Sequence, residues 1–127
     1  MRIEQRVPPR AFRVGRDRSI EIRHVADVEL APDEQITFVT GSGTEFDVVR
    51  KEWGYYATPS LNGRLRDHGL RAVLVRDPQT GRAYLLLVEA GREPEFERYV
   101  AWDGLKVVCW LDDDQAVDDA VRRLGRP

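Results

Sequence analysis

One cysteine, two histidines and two lysines are all that this 127-residue chain offers for thiol, imidazole or amine chemistry. With a single thiol, no disulfide can close within the chain, and Cys109 in Val107-Val108-Cys109-Trp110-Leu111 reads as a small buried hydrophobe. His24 and His68 stand alone, without Cys/His or histidine i,i+4 spacing, so no transition-metal set is predicted. Long apolar runs are also missing. Nothing approaches the roughly 18 residues of a membrane span, and Met1-Arg2-Ile3-Glu4-Gln5-Arg6 has no apolar signal core. The expectation is a cytoplasmic protein with no membrane partner. A phosphate loop, a G-x-S-x-G elbow and a dinucleotide glycine pattern are absent too, so the sequence announces no cofactor and no catalytic motif.

What is present is charge, 33% of the residues, balanced to a net −2. That balance argues against duplex nucleic acid as a partner, because nonspecific binding needs many phosphates neutralised together. The distribution is uneven. Residues 1–23 carry seven arginines against Glu4, Asp17 and Glu21, whereas residues 86–119 carry three basic groups against ten acidic ones. The run Asp112-Asp113-Asp114 invites a hard-metal reading, but aspartates opening a helix cap its free N–H groups, which accounts for them without a metal.

The length fits one domain spanning 1–127, with 42% apolar residues sufficient for a core. Residues 1–17, rich in Pro and Arg and without clear periodicity, read as an extended N-terminal arm. From Ile20 the alternation is strict, which predicts a half-buried strand over about 19–30 with His24 interrupting its apolar row as a satisfied core histidine. Strands over 35–40 and 45–57 follow, joined at Gly41-Ser42-Gly43. A helix is expected over 59–68, capped by Thr58, opened by Pro59 and closed at Gly69. The stretches 70–77, 82–90 and 105–111 are apolar on both faces, and helices separate or follow them at 93–100 and 114–124, the last burying Val117, Ala120, Val121 and Leu124. The fold class is α+β: an antiparallel amphipathic β front half, then αββαβα around a sheet covered by helices.

One segment concentrates binding groups. Arg50, Lys51, Trp53, Tyr55, Tyr56, Thr58, Ser60, Asn62 and Arg64 offer ring faces, fixed positive charge, hydroxyls and an amide within fifteen residues. Ring faces suit a sugar or base, and cations suit a phosphate or carboxylate. Strand alternation turns Arg50 inward beside Phe46 and Val48, where its charge requires Glu52, another carboxylate, a bulge or a bound anion. Three classes of function are compatible: an accessory binding domain for a small anionic or sugar-like ligand, a homodimeric interaction protein, and a small enzyme using a tyrosine, His24 or a buried carboxylate.

Some segments resemble known families. The order helix, hairpin with Asp77 and Glu89, helix and strand over about 59–112 resembles the core of restriction-type nucleases, but Glu89-Ala90-Gly91 has glycine where their Glu-x-Lys ends, with Arg92 one place later. The front half is similar to cupin-type barrels without their metal-binding histidines. The phrase Trp53-Gly54-Tyr55-Tyr56-Ala57-Thr58-Pro59-Ser60-Leu61-Asn62-Gly63-Arg64-Leu65 resembles one in a small, functionally uncharacterised bacterial family associated with surface-sugar or nucleotide-sugar loci. That resemblance implies a role in polysaccharide biosynthesis and supplies no catalytic residues.

Overall fold

In the computed structural model, which describes residues 1–57 and 60–125, the chain runs β1 (Arg2–Val14), β2 (Ile20–Glu29), β3 (Gln35–Val39), β4 (Glu45–Lys51), β5 (Gly54–Tyr56), α1 (Arg64–Asp67), β6 (Leu70–Arg76), β7 (Ala83–Glu89), α2 (Glu93–Trp102), β8 (Lys106–Trp110) and α3 (Asp114–Leu124). The strands form antiparallel sheets ordered β1-β2, β3-β4-β5 and β7-β6-β8, so the fold is α+β. Two compact units emerge, one of residues 1–36 and 48–57, the other of 37–47 and 58–127.

The second unit is organised on β6. Its run Leu-Arg-Ala-Val-Leu-Val is apolar on both faces because both are covered, and Ala72, Val73 and Val75 are fully buried. On one face Val73 and Val75 join Val88, Val100 and Leu105, with Phe96 of α2 set edge-on to Trp110 at 5.6 Å. On the other, Leu70 and Ala72 join Leu65 of α1, with Phe46, Leu61, Leu87 and Leu111 around them. Strands β7 and β8 flank β6 in antiparallel register, the latter with an extra residue, Val108, between the pairs Leu74↔Cys109 and Val75↔Val107. Being edges, they are less covered than their two-sided apolar sequences predict: Tyr84, Leu85, Val107 and Val108 are exposed.

A buried pair closes the first of these faces. Asp112, 5% exposed, accepts from Arg71 Nε at 2.6 Å, and the guanidinium lies 4.0 Å from the centre of the Trp110 ring, with Glu93 at 3.7 Å. The hydrogen bond to Asp112 outweighs partial burial and raises the Arg71 pKa further. The neighbouring aspartates have other partners: Asp113 caps α3 by accepting from the Ala116 amide at 2.7 Å, and Asp114 accepts from Asn62 at 3.0 Å. The triple aspartate thus serves an ion pair, a cap and a side-chain tie.

The last helix departs from its pattern. Val117 and Ala120 are half-buried, but Val121 is 60% and Leu124 87% exposed. Tyr99, expected on the buried stripe of α2, is exposed as well. Periodicity fixes which side chains share a stripe, not how far along the stripe a partner extends.

The N-terminal arm is extended as expected, and it is also paired. Strand β1 joins β2 from Arg2↔Glu29 to Val14↔Ile20, although every residue of β1 is exposed. His24 is partly buried; its Nε2 meets the Ala26 carbonyl at 3.1 Å and the Asp27 carboxylate at 2.7 Å, while Nδ1 has no partner, so the expected satisfaction of this histidine is half met.

Two predictions follow from this packing. Leu65→Ala should cost roughly 2–5 kcal/mol in urea unfolding, and Leu124→Ala under about 0.5 kcal/mol, although helical periodicity puts Leu124 on the buried stripe; equal losses would show that the end of α3 is buried in solution. Asp112→Ala should strand Arg71 and destabilise by somewhat less than the roughly 3–5 kcal/mol of a fully buried pair, since Arg71 is about one-third exposed; a neutral change would remove the pair from the core.

Candidate functional site

The segment 45–57 does not run as one strand. Lys51 pairs with Gly54 across a two-residue turn at Glu52-Trp53, and Gly54 takes φ +148°, a backbone that side chains disfavour. Folding back changes the faces. Arg50 pairs directly with Tyr55, and its guanidinium lies 5.5 Å from the centre of that ring while Nη1 donates to the Gly54 carbonyl at 3.0 Å. The charge that alternation turned inward is met by a carbonyl and a ring within its own hairpin, and not by Glu52, one of the partners the sequence offered.

Each face of the β4–β5 hairpin now holds one cation and one tyrosine. Arg50 and Tyr55 share one, while Lys51 and Tyr56 lie on the other, with Trp53 at the tip. The rings are not core: Trp53 is 72%, Tyr55 59% and Tyr56 57% exposed. Lys51 also pairs with Asp33 at 2.5 Å, and the Asp33 amide donates to the Arg50 carbonyl at 2.7 Å, so the turn before β3 braces the hairpin.

The remaining predicted residues belong to the second unit and have structural work there. Thr58 and Pro59 lie outside the described residues. Helix α1 is a single turn, shorter than the expected 59–68, because Ser60 intervenes: its Oγ accepts from the Arg64 amide at 2.9 Å and its carbonyl from the Leu65 amide at 3.1 Å. A Cβ on Gly63, the residue just before α1, would come 2.6 Å from that hydroxyl, which accounts for a glycine there. With these amides engaged and the helix one turn long, the dipole at the start of α1 is slight. Asn62 is committed to Asp114, and Arg64 is exposed. Gly69 takes φ +85° and ends the turn as predicted.

A second feature escaped the sequence reading. A cleft of about 590 Å³ in the second unit is lined by the β3–β4 turn, the exit of α1 and the end of β7. At its wall Glu89 Oε1 accepts from Thr40 at 2.6 Å, Ser42 at 2.6 Å and Thr44 at 2.9 Å. The Ser42 hydroxyl, then those of Thr40 and Thr44, hold the Glu89 pKa at about 2, against the small opposing effect of partial desolvation. A carboxylate so acidic is a poor proton acceptor near neutrality and serves instead to staple the turn. Across the cleft His68 Nδ1 lies 3.6 Å from Glu45. The three hydroxyls in Thr-Gly-Ser-Gly-Thr were the available signal, but their acceptor lies some 45 residues away in sequence.

The nuclease resemblance fails geometrically. Glu89 pairs with Leu70 at one end of the β6–β7 ladder, whereas Asp77 lies just beyond Arg76 at the other, where its Oδ1 caps the Gln79 amide. At about 3.4 Å per residue the two carboxylates are some 20 Å apart, too far to share a metal.

No family model, no curated protein and no solved structure matches this chain. Among the described residues no helix is long and apolar enough to cross a membrane.

Because the folded pKa of Glu89 lies below its ordinary 4.5, its stabilising contribution is complete above pH 4.5 and fades as pH falls toward 2. Wild type should therefore lose stability over that window more steeply than Glu89→Gln. Matching acid-unfolding profiles would show that the three hydroxyls do not favour the carboxylate.

Proposed function

We propose that the chain is a non-catalytic accessory or binding domain whose β4–β5 hairpin receives a sugar-like ring, carried by a sugar, a nucleotide or a nucleotide-sugar. The observation that carries this reading is the exposure of Trp53, Tyr55 and Tyr56 on a hairpin whose two faces each carry a ring and a cation. Large rings spread on a surface are the usual platform for stacking a sugar or base, and Tyr adds a polar tip for a hydroxyl. Arg50 and Lys51 stand beside the rings, where a phosphate or carboxylate on the same ligand would meet them; the exposed Lys51–Asp33 pair is weak enough to yield. As part of the same proposal the domain works in the cytoplasm, in surface-sugar or nucleotide-sugar biosynthesis, the setting that the resemblance of residues 53–65 implies.

A thermal-shift panel of neutral sugars, nucleotides and nucleotide-sugars tests it, since a ligand at 100 times its Kd stabilises by about 2.7 kcal/mol. Trp53→Ala and Tyr55→Ala should abolish the shift and leave the unliganded Tm nearly unchanged. Arg50→Met, which removes one charged hydrogen bond to a carbonyl, should cost about 1–2 kcal/mol of stability and weaken anionic ligands more than neutral sugars. A ligand that binds these variants as well as wild type would move the site elsewhere.

A further inference from the structure

The first unit contains no buried residue: among the described residues every buried apolar side chain lies between Leu65 and Leu105, in the second. Yet the β1–β2 ribbon is sharply two-faced. Ile3, Phe12, Val14, Ile20, Ile22 and Val28 share one face, directly paired as Ile3↔Val28, Phe12↔Ile22 and Val14↔Ile20. The opposite face is charged and self-neutralised by the pairs Arg2–Glu29 at 2.8 Å, Arg6–Asp27 at 2.7 Å and Arg13–Glu21 at 3.6 Å.

The common apolar face is made by a wide bulge. Between Gln5↔Ala26 and Arg10↔His24, β1 spends four residues, Arg6 to Pro9, against Val25 alone. The three extra residues reverse the alternation, so that odd-numbered Ile3 and even-numbered Phe12 and Val14 fall on the same side. A two-stranded ribbon is marginal in water unless its apolar face is covered.

We propose that this face is covered by the same face of a second copy of the chain, forming a homodimer across a two-fold axis. Of the residues on the face only Arg10 and His24 can carry charge, and Arg10 lies over the Phe12 ring at 5.3 Å, so the face offers apolar groups to its like and no charge pattern for a different partner. The ten residues of β2 at about 3.4 Å give a ribbon about 34 Å long and, with side chains, about 10 Å wide, so the face is a contiguous patch of about 340 Å² in projection, the size that marks an interaction surface and the footprint of a small interface rather than of a standard one. Pro8 and Pro9 lack N–H donors, which disfavours joining the ribbons along the β1 edge and favours face-to-face packing. The polar faces then remain in water with their ion pairs intact.

Sedimentation equilibrium of the full chain tests this over a dilution series. Wild type should be a dimer at micromolar concentration, with a Tm that rises with concentration. Phe12→Asp combined with Ile22→Asp should raise the dimer Kd roughly 100-fold or more. The milder Phe12→Ala should weaken it in the same direction while near-ultraviolet circular dichroism keeps the signal of the packed Trp110. Val25→Asp, on the charged face, should leave the mass unchanged. A wild type that stays monomeric at the highest soluble concentration overturns the proposal, as does a dimer that survives the paired aspartates.

Discussion

Coverage of β6 on both faces is the constraint from which the second unit follows. A strand that buries Leu70, Ala72, Val73 and Val75 needs a layer on each side, and only helices spaced between the strands can supply two. One layer is α2, laid by Pro94 at the start of the helix and by Phe96 and Val100 against the sheet; the other is the turn of α1, which delivers Leu65. Ionic chemistry is admitted at the margin of this core only where each group is answered, as Arg71 is by Asp112 and the Trp110 ring.

Much of this was legible in advance. The β6–β7 hairpin, the helix opening at Glu93-Pro94, the capping role of the aspartates before α3 and the stop at Gly69 all rest on short-range rules, and each has the geometry that those rules require. What the sequence did not convey has a common origin in pairing. A two-residue turn at Trp53 is silent in an alternating pattern, yet it brings Tyr55 back onto the face of Arg50. Likewise, the apolar run of β8 does not say whether the strand is central or at an edge. Residues 1–17 lacked visible periodicity because their period is present twice, in opposite phase, on either side of a bulge.

The two polar features make different use of backbone. At the β4–β5 hairpin the side chains that matter are neighbours in sequence, so the segment could be chosen by reading alone, even though their facing could not. Around Glu89 the groups come from a turn and from the end of a distant strand, and only the fold makes them neighbours. The hydroxyls there fix a loop, and the carboxylate that fixes them is no longer free for proton transfer; a rigid wall and a reactive wall are alternatives at the same residue.

The bulge at residues 6–9 also sets a rule for how this chain can change length. Because side chains alternate, only the parity of the bulge matters to the strand before it. Losing or gaining two residues there would leave Ile3 facing Val28, whereas one residue would turn the first five over, placing Arg2 and Glu4 among the apolar groups and Ile3 among the ion pairs. Length variation in this segment should therefore come in steps of two, whatever the identity of the residues involved.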